Sequence, residues 1–233
     1  MKIWYRVTIT FTMLLVIFAL LITGFQLAVY GDSHYGFYKK EYEKYRVTDD
    51  LNMKIDNVMA VTEHMMAYLI GKEEKLSIVT DVDGEHQDFF NEQDRFHMGE
   101  VKDLFLGGLK IRNIMLVAVL LILILLAARK ADLIKLLPRA YFVTLGITGV
   151  ITVVLGGLFA SDFDKYFRIF HEIFFDNDQW MFDPATDYMI RMLPEGFFYD
   201  FVFRIGGFFV GSLAVLGVVS AACIFMEKCK KKN

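Results

Sequence analysis

The sequence predicts an all-α membrane protein: four transmembrane helices with an extracellular cap of short helices and a small hairpin. Three observations carry that prediction. The composition is 55% hydrophobic over 233 residues, with 23 phenylalanines, too apolar for an ordinary water-soluble domain. Four stretches each reach the roughly 20 apolar residues that a helix needs to cross a bilayer. Lysine and arginine gather on alternate flanks of those stretches, as expected of loops retained on the cytoplasmic side.

The first span covers roughly 8–30 (TITFTMLLVIFALLITGFQLAVY). Its apolar region is too long for a signal peptide and lacks a small-x-small cleavage site, so it reads as retained. The second lies at roughly 109–128, the third at 140–160 and the fourth at 201–226. Lys2 and Arg6 flank the first. Arg129, Lys130, Lys135 and Arg139 fill the short connection between spans two and three, and Lys228, Lys230, Lys231 and Lys232 close the chain. Asp132 and Glu227 are the acids on that side. Both termini are therefore expected in the cytoplasm of a multi-pass cell-membrane protein, with the two long acidic connections outside.

The resulting organisation is 1–30 as first span and 31–108 as first part of the cap. Residues 109–160 supply spans two and three with their cytoplasmic loop, 161–200 the second part of the cap, and 201–233 the last span with its basic tail. Cys223 and Cys229 both fall at the inner end of the fourth span, which excludes a disulfide or thiol relay in the cap. A net charge of −3 offers no basic field for nucleic acid.

Within the cap, 49–70 has Leu51, Ile55, Val58, Met59, Met65, Met66 and Leu69 at helical spacing, with Asp49 or Asp50 as cap and Gly71 as stop. The methionines read as packing. Residues 76–90 read as a hairpin turning at Asp83-Gly84. From 91 to 110 helical periodicity resumes, and His97, Val101, Leu104 and Gly108 share a stripe. Residues 163–175 (FDKYFRIFHEIFF) form an aromatic helix with Phe163, Phe167, Phe170 and Phe174 on one face. Asp183-Pro184 reads as a helix start with Pro in the first turn, and Pro194 opens the fourth long helix in the same way. Trp180, Phe182, Tyr188, Phe197, Phe198 and Tyr199 make an aromatic belt at the outer interface.

His97 precedes the second span and His171 follows the third, so both fall in the same layer on the same side. His34, His64 and His86 read as exposed or locally satisfied. The His-Glu at 171–172 lacks the second histidine of a zinc helix motif, and no span carries a histidine for haem; no metal or cofactor is expected. Ser161 has no nucleophile elbow around it. Lys110, Arg112 and Arg204 enter the spans only near their outer ends, unlike the deep charges of a transporter. What remains is general acid–base chemistry on a lipid-like substrate entering from the outer leaflet, with acyl transfer fitting and no acyl-enzyme. The rival is a non-enzymatic accessory or lipid-binding membrane protein.

NEQDRFHMGEVKDLF (91–105) and FHEIFFDNDQWMFDPATDYMIRMLPEGFFYD (170–200), set between four spans in this order, resemble the bacterial lipoprotein intramolecular transacylases. The resemblance runs from first span to last. It implies two catalytic histidines at the cap–membrane interface, His97 and His171. It also implies a diacylglyceryl-modified lipoprotein as substrate, whose sn-2 acyl chain moves to the α-amino group of its own cysteine. Beside that, Phe167, Phe170, Phe174, Phe175 and Trp180 are the expected substrate-facing aromatics, and Asp94, Glu172 and Arg191 the expected orienting groups. His97 is expected as base and His171 as acid or oxyanion partner, in roles the sequence leaves exchangeable.

Overall fold

The structure, a computed structural model, describes residues 3–230. Lys2, Lys231 and Lys232, which weigh in the orientation, lie outside them. Among the described residues four helices are long and apolar enough to cross a membrane: α1 (Ile3–Tyr30), α5 (Glu92–Ala128), α6 (Leu133–Ser161) and α9 (Glu195–Lys230). Between them lie α2 (Gly36–Lys44), α3 (Val47–Asp50), α4 (Ile55–Leu69), β1 (Val79–Val82), β2 (Glu85–Asp88), α7 (Phe163–Phe174) and α8 (Tyr188–Met192). The chain divides into two compact units. One takes Met1–Ala28, Leu109–Ser161 and Arg204–Asn233; the other takes Val29–Gly108 and Asp162–Phe203.

The first unit is the apolar one. Ile9, Met13, Ile17, Leu126, Leu136, Tyr141, Phe209 and Leu213 form its packed interior. Ile114, Leu121, Val153 and Val218 face outward, an apolar exposure that water penalises and hydrocarbon does not. Thr12, Thr23, Thr144 and Thr148 donate to carbonyls one turn back, which pairs their own hydroxyl hydrogens within the helix. Tyr141 donates to the Leu213 carbonyl at 2.6 Å and ties α6 to α9. Arg112 donates to the Gln26 side chain and Arg204 to the Ala28 carbonyl at 3.1 Å, so both cations fasten onto the end of α1. At Gly24 a Cβ would stand 3.3 Å from the Phe209 backbone nitrogen. That approach requires a small residue. Gly24→Leu is expected to lose about 1–3 kcal/mol through overpacking, read as a lower unfolding temperature in detergent.

The second unit closes around Tyr42, Leu51, Val58, Val61, Met65, Phe89, Phe90, Met192 and Phe197. Met65 and Met66 are buried packing residues, and Gly71 ends α4 at φ +75°. The hairpin turns at Asp83 (φ 50°) and Gly84 (φ 84°), the paired positive values of a type I′ turn. Three local expectations are corrected. The helix read from 49 breaks at Asn52 (φ 47°) and restarts at Ile55. Leu51 turns fully inward there, and Arg191 binds Asp50 at 3.0 Å instead of leaving it to cap. Asp183-Pro184 makes one turn, not a helix. The Asp183 carboxylate takes the Ala185 N–H at 2.9 Å, and its carbonyl takes those of Thr186 and Asp187 at 2.9 Å. Pro194 stands one residue before α9, where its carbonyl accepts from Phe197 N at 2.9 Å.

Candidate active site

His97 is placed by the start of α5. Asn91 and Asp94 cap that helix reciprocally: the Asn91 side chain accepts from Asp94 N at 2.8 Å, and the Asp94 carboxylate accepts from Asn91 N at 2.9 Å. Asn91 also donates to the Asp187 side chain. Asp94, an expected orienting group, is thus fully buried in a cap. Burial, then the nearby Asp187, raises its pKa to about 6. One turn on, His97 points into the unit at 5% exposure, ahead of the apolar part of the helix that begins at 109.

His171 is placed by α7. The Asp162 carboxylate accepts from Lys165 N at 3.2 Å and caps the start. Phe163 and His171 are buried; Asp164, Lys165, Arg168 and Glu172 occupy the solvent-facing arc. Ile169, Phe170, Ile173 and Phe174 are apolar and exposed. The helix is amphipathic with its histidine on the inner edge.

The two imidazoles meet. Their ring centres lie 5.8 Å apart, within the roughly 10 Å expected of two groups that serve one substrate. Phe175 packs against both, 4.8 Å from His97 and 5.5 Å from His171. Phe182 closes on His97 at 5.5 Å, and Trp180, Phe167 and Phe170 close on His171 at 4.9, 4.3 and 5.4 Å. Nδ1 of His171 lies 2.8 Å from the Phe167 carbonyl. A carbonyl only accepts, so Nδ1 carries the hydrogen, and Nε2 of the neutral ring holds the lone pair. Burial, outweighing that hydrogen bond, pulls the His171 pKa below its usual value. Burial, with the neighbouring His171, pulls that of His97 down to about 4. Both shifts favour the neutral ring.

The other expected residues divide. Phe174 is half-exposed and packs on Phe170 at 4.7 Å, away from both rings. Glu172 is exposed. Arg191 binds Asp50 and, at 2.6 Å, Asp83, so it pins the hairpin turn to α3 and α8. His64 lies 3.0 Å from the Lys75 carbonyl and His86 2.7 Å from Asp81, each outside this cluster. The sequence reading missed Phe182 as a site residue, and Glu100 and Asn177 altogether. Glu100 stands one turn from His97 with Oε2 3.8 Å from Nδ1, and its Oε1 accepts from Asn177 at 2.7 Å. The i, i+3 spacing of His97 and Glu100 was legible; the Asn177 contact was not. Among the described residues no three His, Cys, Asp or Glu side chains converge as metal ligands would.

The family model of the lipoprotein intramolecular transacylase Lit matches residues 9–198. The chain belongs to that family. It is accordingly a multi-pass membrane enzyme, an acyltransferase of lipoprotein substrates. The fold agrees with the structure of the membrane-integral Lit from Bacillus cereus, at TM-score 0.77 and 20% identity over 97% of each chain. A form of that protein in which a histidine is replaced by alanine matches with TM-score 0.71 and 20% identity, over 97% of this chain and 94% of that one. No curated protein sequence matches. A Lit-family chain of four apolar helices and one short hairpin is what the residues indicated at the outset.

Proposed function

We propose that the chain moves the sn-2 acyl chain of a diacylglyceryl-modified N-terminal cysteine onto that cysteine's own α-amino group, with His171 as base and His97 as acid and oxyanion donor. The single observation that supports this most is the pair of buried rings 5.8 Å apart, one with its tautomer set by the Phe167 carbonyl. The Nε2 lone pair of a neutral ring is what a general base requires. This exchanges the two roles expected from the sequence.

Attack of the amine on the ester carbonyl closes a ring of about eight atoms, so orientation dominates the barrier. An enclosure of Phe167, Phe170, Phe175, Trp180 and Phe182 supports the folded substrate and keeps out water that would hydrolyse the ester. The N–C bond forms while His171 Nε2 takes the amine proton. The C–O bond breaks while His97 gives a proton to the departing glyceryl oxygen. No acyl-enzyme forms. The amphipathic α7 rests its apolar arc on the outer leaflet, with 31–108 and 161–200 outside, which brings His171 to the depth of lipid esters.

The test is mass spectrometry of the N-terminal lipopeptide after the purified chain meets a reporter lipopeptide isotopically labelled only in its sn-2 chain. The label is expected in amide linkage, beside a lyso-glyceryl thioether. A label that stays on glycerol, or an amide formed from another lipid's chain, overturns the reading.

A further inference from the structure

Glu100 carries a feature that the reaction as described leaves unused. Among the described residues, neither its Oε2 nor the facing His97 Nδ1 has a hydrogen-bond partner, and both atoms are buried. They stand 3.8 Å apart on successive turns of α5. Two complementary buried atoms left unpaired at that separation cost desolvation without return. Moving the carboxylate by about 1 Å brings them within hydrogen-bond range. The other oxygen is anchored: Oε1 accepts from Asn177 at 2.7 Å, and Asn177 lies on the segment that leaves α7, six residues beyond His171. Glu100 therefore links the two histidine-bearing segments and aims its free oxygen at one of the rings.

We infer that Glu100 is the positioning residue for His97: its Oε2 pairs with Nδ1–H and holds the ring in the doubly protonated form that presents Nε2–H to the substrate oxygen. The inference rests on the acid role proposed for His97. The proton comes from the substrate. An α-amino group with a pKa of about 8 arrives at neutral pH mainly as ammonium, which cannot attack. It passes one proton to His97 as Glu100 closes, which leaves a neutral amine facing His171 and an ion pair between His97 and Glu100. In attack the amine gives its second proton to His171, and His97 returns the first to the glyceryl oxygen. His171 then releases its proton to water, and the balance is ammonium plus ester to amide, alcohol and one proton. Without a carboxylate beside it, the desolvated His97 ring has no means to hold the substrate's proton. The titratable groups facing that ring among the described residues are Glu100 on its own helix and His171 on α7.

Glu100→Gln tests this, because the amide keeps the size and can keep the Asn177 hydrogen bond while removing the charge. With the full-length enzyme and the labelled reporter, kcat is expected to fall about 10²-fold with KM little changed, the scale on which orienting partners act. The pH profile is expected to change shape. Wild-type kcat/KM should decline above about pH 8, where the substrate no longer brings its proton, whereas residual activity of the Gln variant should rise through that range with the free amine. Glu100→Asp, shorter but still charged, should recover part of kcat and the wild-type profile. A Gln variant with wild-type kcat and profile overturns the assignment, as does an Asp variant no better than Gln. His97→Ala separates the two claims. If it is fully active, the acid role of His97 fails and this inference with it. If it is inactive while Glu100→Gln is normal, only the Glu100 assignment falls.

Discussion

His171→Ala is expected to lower kcat for acyl migration by about 10³-fold or more, in line with what a positioned general base contributes. The expectation depends on two features of the ring. Its Nδ1–H is committed to the Phe167 carbonyl at 2.8 Å, so Nε2 is the reactive nitrogen, and it sits 8% exposed among aromatics where water cannot substitute for it as base. A His171→Gln variant keeps a polar side chain of similar reach without a usable base and should be equally impaired. Thermal unfolding of both variants in detergent, close to that of the parent, would show that chemistry was lost and not the fold. The assignment of roles can be read separately with a substrate carrying the sn-2 chain as a thioester. A thiolate leaves without protonation near pH 8.5, so that substrate should partly rescue His97→Ala and leave His171→Ala inactive. Rescue of the His171 variant instead would invert the roles.

Tyr42→Ala is expected to destabilise the second unit by about 3–5 kcal/mol. The ring is completely buried and stacks on Phe197 at 6.2 Å with an interplanar angle of 17°. Thr62 donates to the Val58 carbonyl, so the Tyr42 hydroxyl donates to Thr62 at 2.7 Å. Alanine removes the ring and leaves a cavity between α2, α4 and the start of α9. Tyr42→Phe keeps the ring and should cost about 1 kcal/mol, the worth of one buried hydrogen bond. Both cysteines of the chain lie near its C-terminus, so no cross-link supports this core and its packing carries the load. Proteolytic susceptibility within 29–108, followed against temperature, would report the loss. A Tyr42→Ala protein as resistant as the parent would show that the cavity collapses without penalty.

The parts of the molecule that were legible in the sequence are those governed by local rules. Twenty apolar residues in a row have few fates, and Asp83-Gly84 between alternating residues specifies its own turn. His97 and His171 stood out because imidazoles in apolar surroundings need a purpose. The illegible parts depended on competition between distant groups. Asp49 and Asp50 had the chemistry of helix caps, but Arg191, more than a hundred residues away, engages Asp50. Asp183 had the same chemistry, yet the Asp187 carboxylate takes the Asp183 N–H at 2.8 Å and the segment folds as a turn. Arg191 was expected as a group orienting the imidazoles; its guanidinium is engaged by Asp50 and Asp83 instead. Phe174 lies on the outer part of the arc it shares with Phe163 and Phe167, and packs on Phe170 rather than on either imidazole.

His171 is bonded to a carbonyl and His97 faces a carboxylate proposed as its partner, and the difference bears on how such an enzyme can change. His171 is held by a main-chain oxygen of its own helix, which no single substitution of a side chain deletes. Glu100, by contrast, is encoded. If Glu100 acts as proposed, mutation can reach the working pH and speed of the enzyme through position 100, while the state of His171 is inherited with the helix itself. One half of the proposed proton machinery is open to adaptation and the other is written into the backbone.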